Sequence, residues 1–140
     1  MKRIYFQKKN FSLNKEIENF SKKNANVGSI ISFVGKVRGV NNNKRLKSLN
    51  IYCYKKMALH QTEKIVKNIK KKKSIIDFLI IHRFGCLFPT EKIVLILVAT
   101  KHRNEGFEFV NTIISWFKSK ITFWKKEIYY KDSEWLEKQK

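Results

Sequence analysis

The chain is poor in the residues that punctuate or staple a fold: five Gly, one Pro and two Cys in 140 residues. It contains no internal repeat and no Pro/Gly/Ser linker, and its only low-complexity pieces are Asn41–Asn43 and Lys70–Lys73. Cys53 and Cys86 form no CxxC pair and lack paired His ligands, which points to a reduced, cytosolic compartment with a disulfide left open. Acidic residues are scarce. Two Asp and nine Glu show no paired-carboxylate pattern, and His60, His82 and His102 lie far apart, so no metal site is expected. Neither a P-loop nor a GxGxxG is present. The opening segment lacks the apolar stretch of a secretory signal. The longest apolar run, Ile93 to Ala99, is too short to span a bilayer, so no membrane partner is expected.

What is abundant is apolar surface and positive charge. Hydrophobic residues make up 43% of the chain, which argues for a packed core. The length fits one domain, residues 1–140, able to bury roughly 68–70% of its unfolded surface without metal or disulfide. Thirty-one Lys and Arg against eleven acids give a formal charge of +20, which attracts anionic ligands and polyanions. Only five of the cations are Arg, and Ile and Asn are also plentiful. That combination matches codon drift toward A and T, which would place Lys on solvent-facing positions without any partner. The few Arg are then the more informative cations.

Periodicity outlines the elements. Ile4–Phe6 reads as a strand, and Leu13, Ile17 and Phe20 as a helix with Ser12 as N-cap. Ser29–Val37 reads as a strand, Gly39–Arg45 as a polar loop, and Leu49, Ile51 and Cys53 as the inward positions of another strand. Ala58, Thr62, Ile65 and Ile69 trace a helix that ends in lysines, which complements its dipole. Ile75–Phe84 and Lys92–Thr100 are strands joined through Gly85–Glu91. Phe107, Val110, Ile114 and Phe117 trace a helix face from about Asn104, and Phe123–Tyr130 is a strand before a polar tail with Trp135. Such alternation predicts an α+β or α/β sandwich, with helices on an antiparallel or mixed sheet.

Three segments could carry chemistry. Thr100-Lys101-His102-Arg103 lies between a strand end and a helix start, where free N–H groups and the dipole favour a phosphate and Arg adds a bidentate fork. Read alone, it is more simply a basic loop that happens to precede a helix. Lys36 and Arg38, either side of Val37, leave a strand on one face, with glycines nearby for close approach, or are solvated charges at a strand end. Lys118 and Lys125 flank an aromatic pair, Phe123-Trp124. Lysines crowded together have lowered pKa values and can act as acid, base or nucleophile. The alternative is a surface turn with Phe123 and Trp124 in the core.

In order, the segments are Ser32-Phe33-Val34-Gly35-Lys36-Val37-Arg38, Tyr54-x-x-Met57, Ile81-His82-Arg83-x-Gly85-x-Leu87, His102-Arg103-x3-Phe107, Lys118, Phe123-Trp124-Lys125-Lys126-Glu127 and Trp135. Together they resemble the catalytic (large) subunit family of molybdopterin synthase, from about Phe11 to Trp135. The resemblance implies an α/β hammerhead fold with an additional antiparallel β subdomain. It implies a homodimer at the centre of a heterotetramer, in which each protomer binds a small ubiquitin-like sulfur-carrier subunit. The carrier's C-terminal Gly-Gly thiocarboxylate would supply two sulfurs to cyclic pyranopterin monophosphate, with no cofactor in the enzyme itself. By the same likeness, Lys118 and Lys125 carry the chemistry. Arg38, His102 and Arg103 hold the pterin phosphate, and Lys36, Val37, Lys126 and Glu127 line the substrate site.

Departures from the family pattern are Tyr52 and Cys53 where an acid is usual, Cys86 in place of Glu, Thr90 in place of a turn glycine, and a tail that offers only Lys138 and Lys140 to a neighbouring protomer. Two other functions compete. A nucleic-acid-binding module is suggested by the +20 charge and 14% aromatics, without any recognised signature. A degenerate, inactive relative is opposed by the retention of all five basic candidates.

Overall fold

The computed structural model describes residues 2–119 and 123–130, and the backbone of 133–136. Among them run β1 (Ile4–Gln7), α1 (Leu13–Lys23), β2 (Ser29–Lys36), β3 (Val40–Asn41), β4 (Lys44–Cys53), α2 (Lys55–Lys72), β5 (Asp77–Arg83), β6 (Gly85–Leu87), β7 (Lys92–Thr100), α3 (Arg103–Ser119), β8 (Phe123–Tyr129) and β9 (Ser133–Leu136). The fold is mixed α+β with two sheets.

The first sheet has the order β1-β5-β7-β2, with β1 parallel to β5 and the other pairs antiparallel. Its centre is β7, whose residues Val94–Thr100 are all buried. The near-continuous apolar run follows from that position, since both faces of the strand are covered. On one face, Phe11 and Phe20 pack on Ile81, Leu95, Leu97 and Ala99, with Leu13 and Ile17 of α1 alongside. The Ser12 hydroxyl accepts from the Lys15 N–H and caps α1 as expected. On the other face, α2 brings Ala58, Val66 and Ile69, and α3 brings Phe109, Val110, Ile113 and Phe117, onto Ile4, Phe6, Phe78, Ile80, Val94, Ile96 and Val98.

The second sheet is antiparallel, ordered β3-β4-β8-β9, with β6 also paired to β4. Leu49 and Ile51 face inward and Tyr52 outward, as their alternation requires. Phe123 carries the core across the junction of the two sheets.

Three expectations change. Gly39–Arg45 is a hairpin instead of a loop: β3 and β4 pair at Asn41 and Lys44, around Asn42 (φ 51°) and Asn43 (φ 63°). Asn tolerates left-handed backbone, so two asparagines make the tight turn that a polar stretch disguised. Gly85–Leu87 is a short strand within what reads as a connection. The buried stripe of α3 is Gly106, Phe109, Val110, Ile113 and Phe117, whereas Phe107 is 53% exposed. Apolar side chains surround much of this helix, so spacing alone selects the wrong start for the stripe. The true stripe begins at Gly106, where a Cβ would lie 2.8 Å from the Ile31 side chain.

Candidate active site

The pairing of β2 with β7 sets the distances between candidate residues. Lys36 pairs with Lys92 at one end, and Ser29 with Thr100 at the other. Arg38 follows the first end and His102–Arg103 the second. The eight steps between Lys92 and Thr100 span about 26 Å at ~3.3 Å per residue. One chain therefore does not bring its three phosphate-binding candidates together.

The lysine pair lies at the Arg38 end. Helix α3 starts at Arg103, passes Ile31 at Gly106 and returns along the sheet until Phe117 meets His82, the strand partner of Val94. Lys118 follows. Lys125 points inward from β8, on the same face as Phe123, Glu127 and Tyr129. Burial pushes the Lys125 ammonium below the ordinary lysine value, and the neighbouring positive charge of Lys118 pushes it further. The structure thus joins Lys118 to Lys125 and gives Lys125 a readier proton.

Val37 is buried. Its N–H donates to the Glu91 carbonyl and its carbonyl accepts from the Thr90 N–H, both at 2.9 Å. This clamp leaves Lys36 and Arg38 exposed on either side. Thr90 takes φ 77°, a left-handed conformation that suits the glycine usual in the resembling family. Glu127 is buried, and its carboxylate accepts from Asn41 Nδ2 at 2.8 Å and from the Tyr129 hydroxyl at 3.0 Å. It ties the β3–β4 hairpin, and with it the Arg38 segment, to the strand that carries Lys125. Lys126 alternates to the opposite face of β8, across from Asn50.

At the far end, His102 and Arg103 are exposed, and the Thr100 hydroxyl donates to the His102 carbonyl. Gly28 donates its N–H to the Thr100 carbonyl at 3.1 Å. A Cβ on Gly28 would lie 2.2 Å from the Lys101 carbonyl oxygen, so only glycine lets β2 approach this loop.

The five arginines divide cleanly. Arg3 pairs with Asp77 at 2.7 Å, Arg45 lies 4.7 Å from the Tyr130 ring, and buried Arg83 donates to Lys8 and Lys92 carbonyls and to Glu91. Among the described residues, Arg38 and Arg103 have no such side-chain partner, which leaves both forks open to a ligand. The resemblance singles out these two of the five, and the structure shows what occupies the other three.

The cysteines offer no nucleophile of comparable promise. Burial pushes the half-buried Cys53 thiol up to about 11, and Cys86 sits exposed on β6. Trp124 is half exposed while Phe123 is buried, so only one of that aromatic pair is core. The residue that sequence reading left without a role is His82, buried beside Lys125. Its signal was a polar residue at an inward position of a core strand. Lys138 and Lys140 lie outside the described residues.

Comparison with known proteins shows the family and the fold. Residues 6–120 match the family model described as MoaE protein. The molybdopterin synthase catalytic subunit of Ralstonia nicotianae is 33% identical over 137 residues, covering 98% of this chain and 78% of that one. That of Pyrococcus abyssi is 34% identical over 113 residues, 81% of this chain and 76% of that one. Among solved structures, molybdopterin synthase from Staphylococcus aureus superposes with a TM-score of 0.85 at 26% identity, covering 98% of both chains.

Proposed function

The chain belongs to the MoaE protein family, that of molybdopterin synthase catalytic subunits, and on that footing we propose which residues act and how. Lys118 and Lys125 carry the sulfur transfer, and Arg38, His102 and Arg103 hold the phosphate of the pterin substrate. The observation that carries this reading is the lysine pair. The charge of Lys118 acts on a half-buried Lys125 ammonium whose pKa is lowered, at the same end of the sheet as an arginine with an open fork.

Positive charge placed in advance neutralises the incoming thiocarboxylate and the cyclic phosphate, and stabilises charge that develops as sulfur attacks. Lys125 exchanges a proton near neutral pH more readily than an ordinary lysine, which suits ring opening and release of the carboxylate product. Sulfur arrives on the Gly-Gly tail of a small carrier subunit, so Cys53 and Cys86 need not supply it. Val37 and Glu127 fix the backbone on which Lys36, Arg38 and Lys125 are mounted.

Arg38 and His102–Arg103 follow opposite ends of a ladder that spans about 26 Å from Lys92 to Thr100, and joining them requires a second copy of the chain. A two-fold homodimer that sets the His102 end of one protomer against the Arg38 end of the other completes the phosphate site. The single domain acts in the cytoplasm, within a heterotetramer. Lys118→Ala should abolish product formation from thiocarboxylated carrier and pterin precursor while the fold persists, and full activity would sink the catalytic assignment. Mixing inactive Arg38→Ala and Arg103→Ala chains should restore activity, because each mixed dimer regains one intact site. No recovery in verified mixed dimers would refute the shared site.

A further inference from the structure

Beside the lysine pair lies a cluster of rings, three phenylalanines and one imidazole. Phe6, Phe117 and Phe123 surround the ring of His82 at centroid distances of 6.1, 5.1 and 4.2 Å. His82 stacks on Phe123 with planes 22° apart and meets Phe117 edge-on at 73°. Phe117 immediately precedes Lys118, and Phe123 precedes Lys125 by two residues on the same strand face. One imidazole therefore touches the supports of both lysines, which stand on different elements.

Phenylalanine would fill this space without a polar atom to satisfy. The imidazole instead places Nδ1 2.8 Å from the Arg83 carbonyl. A carbonyl only accepts, so Nδ1 carries the proton and the lone pair of the neutral ring sits on Nε2. Burial, reinforced by the Lys125 charge, holds the ring pKa down to about 3. The nearby charges are Lys125 and, beyond it, Lys118, while Arg83 projects to the other face of β5 by strand alternation. Arg83 is itself held by the Lys8 and Lys92 carbonyls and by Glu91, so the anchor of the ring is rigid.

We propose that His82 is a positioning residue for the sulfur-transfer step: its imidazole, clamped between Phe117 and Phe123 and fixed by the Arg83 carbonyl, holds Lys118 and Lys125 at their working separation. The proposal rests on the assignment of the chemistry to those two lysines. It adds to that assignment a reason for a polar ring in an aromatic cluster, and a way for the core to set the proton affinity of Lys125.

The test is His82→Phe in the full chain, assayed with the thiocarboxylated carrier. This variant keeps the ring and its packing but removes both nitrogens. Its melting temperature should be unchanged or higher. Its kcat should fall roughly 10- to 100-fold, the scale of a small misplacement at a reacting centre, with KM nearly constant and the basic limb of the pH–rate profile displaced. Unchanged kcat and pH profile would overturn the proposal and leave the lysine assignment standing. Retained activity in Lys118→Ala and Lys125→Ala would remove that assignment instead.

Should His82→Phe fail to fold, nitrogen-15 NMR of His82 in the unmodified protein decides. The ring should remain the neutral Nδ1–H tautomer across neutral pH. Its Nε2 resonance should move as Lys125 titrates, and that movement should be missing in Lys125→Met. A ring that protonates near the ordinary value of about 6.5, or an Nε2 indifferent to Lys125, would overturn the proposal.

Discussion

Two lysines of this chain are displaced in opposite directions. Lys73 closes α2 on the surface, 2.8 Å from Glu108, and that hydrogen bond and the carboxylate charge push its pKa up. Lys125 lies at the junction of the two sheets, where burial and then Lys118 push its pKa down. The residue type is the same and the overall field of +20 is common to both. What differs is a counterion at one site and, at the other, desolvation beside a second cation. Most of the positive charge resembles Lys73 in exposure and solubilises the surface. On the proposed assignment, the chemistry lies where a cation has been taken partly out of water.

The largest effect should come from removing the second of these environments. Lys118→Ala or Lys125→Ala should lower kcat by roughly 10²- to 10⁴-fold, the range of a lost acid–base group, with the circular dichroism spectrum unchanged. Next, Gly28→Ala forces a methyl into the Lys101 carbonyl. It should cost about 1–3 kcal/mol of stability, as overpacking does, and should raise KM for the phosphate-bearing substrate by displacing His102 and Arg103.

Lys125→Met should kill activity yet stabilise the fold by about 0.5–2 kcal/mol at neutral pH, as replacements at strained sites commonly do. The sign follows from proton counting. Between the lowered folded value and the unfolded value of about 10.4, the unfolded chain binds more protons, so wild-type stability rises with pH and the advantage of Met fades. Denaturant melts at several pH values would show the convergence.

His82 predicts an acid limb by the same argument. Its folded pKa of about 3 is below the ordinary 6.5, so the stability linked to it is lost as pH falls below that value. His82→Phe should flatten this limb in thermal melts. The smallest effect should be that of Lys73→Ala, which leaves kcat and the melting temperature almost unchanged because an exposed ion pair is screened by water. A large loss of activity there would break the contrast between the two lysines.

Much of the fold was legible because it follows short-range rules. The Ser12 cap, the alternation of Leu49, Ile51 and Cys53, and the apolar run of β7 are all local patterns. The Asn42–Asn43 hairpin escaped because its signal is a backbone conformation that polar loops share. The α3 stripe was misplaced because Phe107 and Phe109 are equally apolar, and only the sheet beneath distinguishes them.

The sequence by itself determined the chemistry available: which basic residues exist, in what order, and near which glycines and aromatics. Side-chain type and spacing along the chain are its own properties. Only the tertiary structure decided which of them meet. The β2–β7 register separates Arg38 from His102–Arg103, and the aromatic cluster at the sheet junction brings Lys118 to Lys125. Proximity across elements and removal from water are properties of packing, and a lysine becomes reactive only through both.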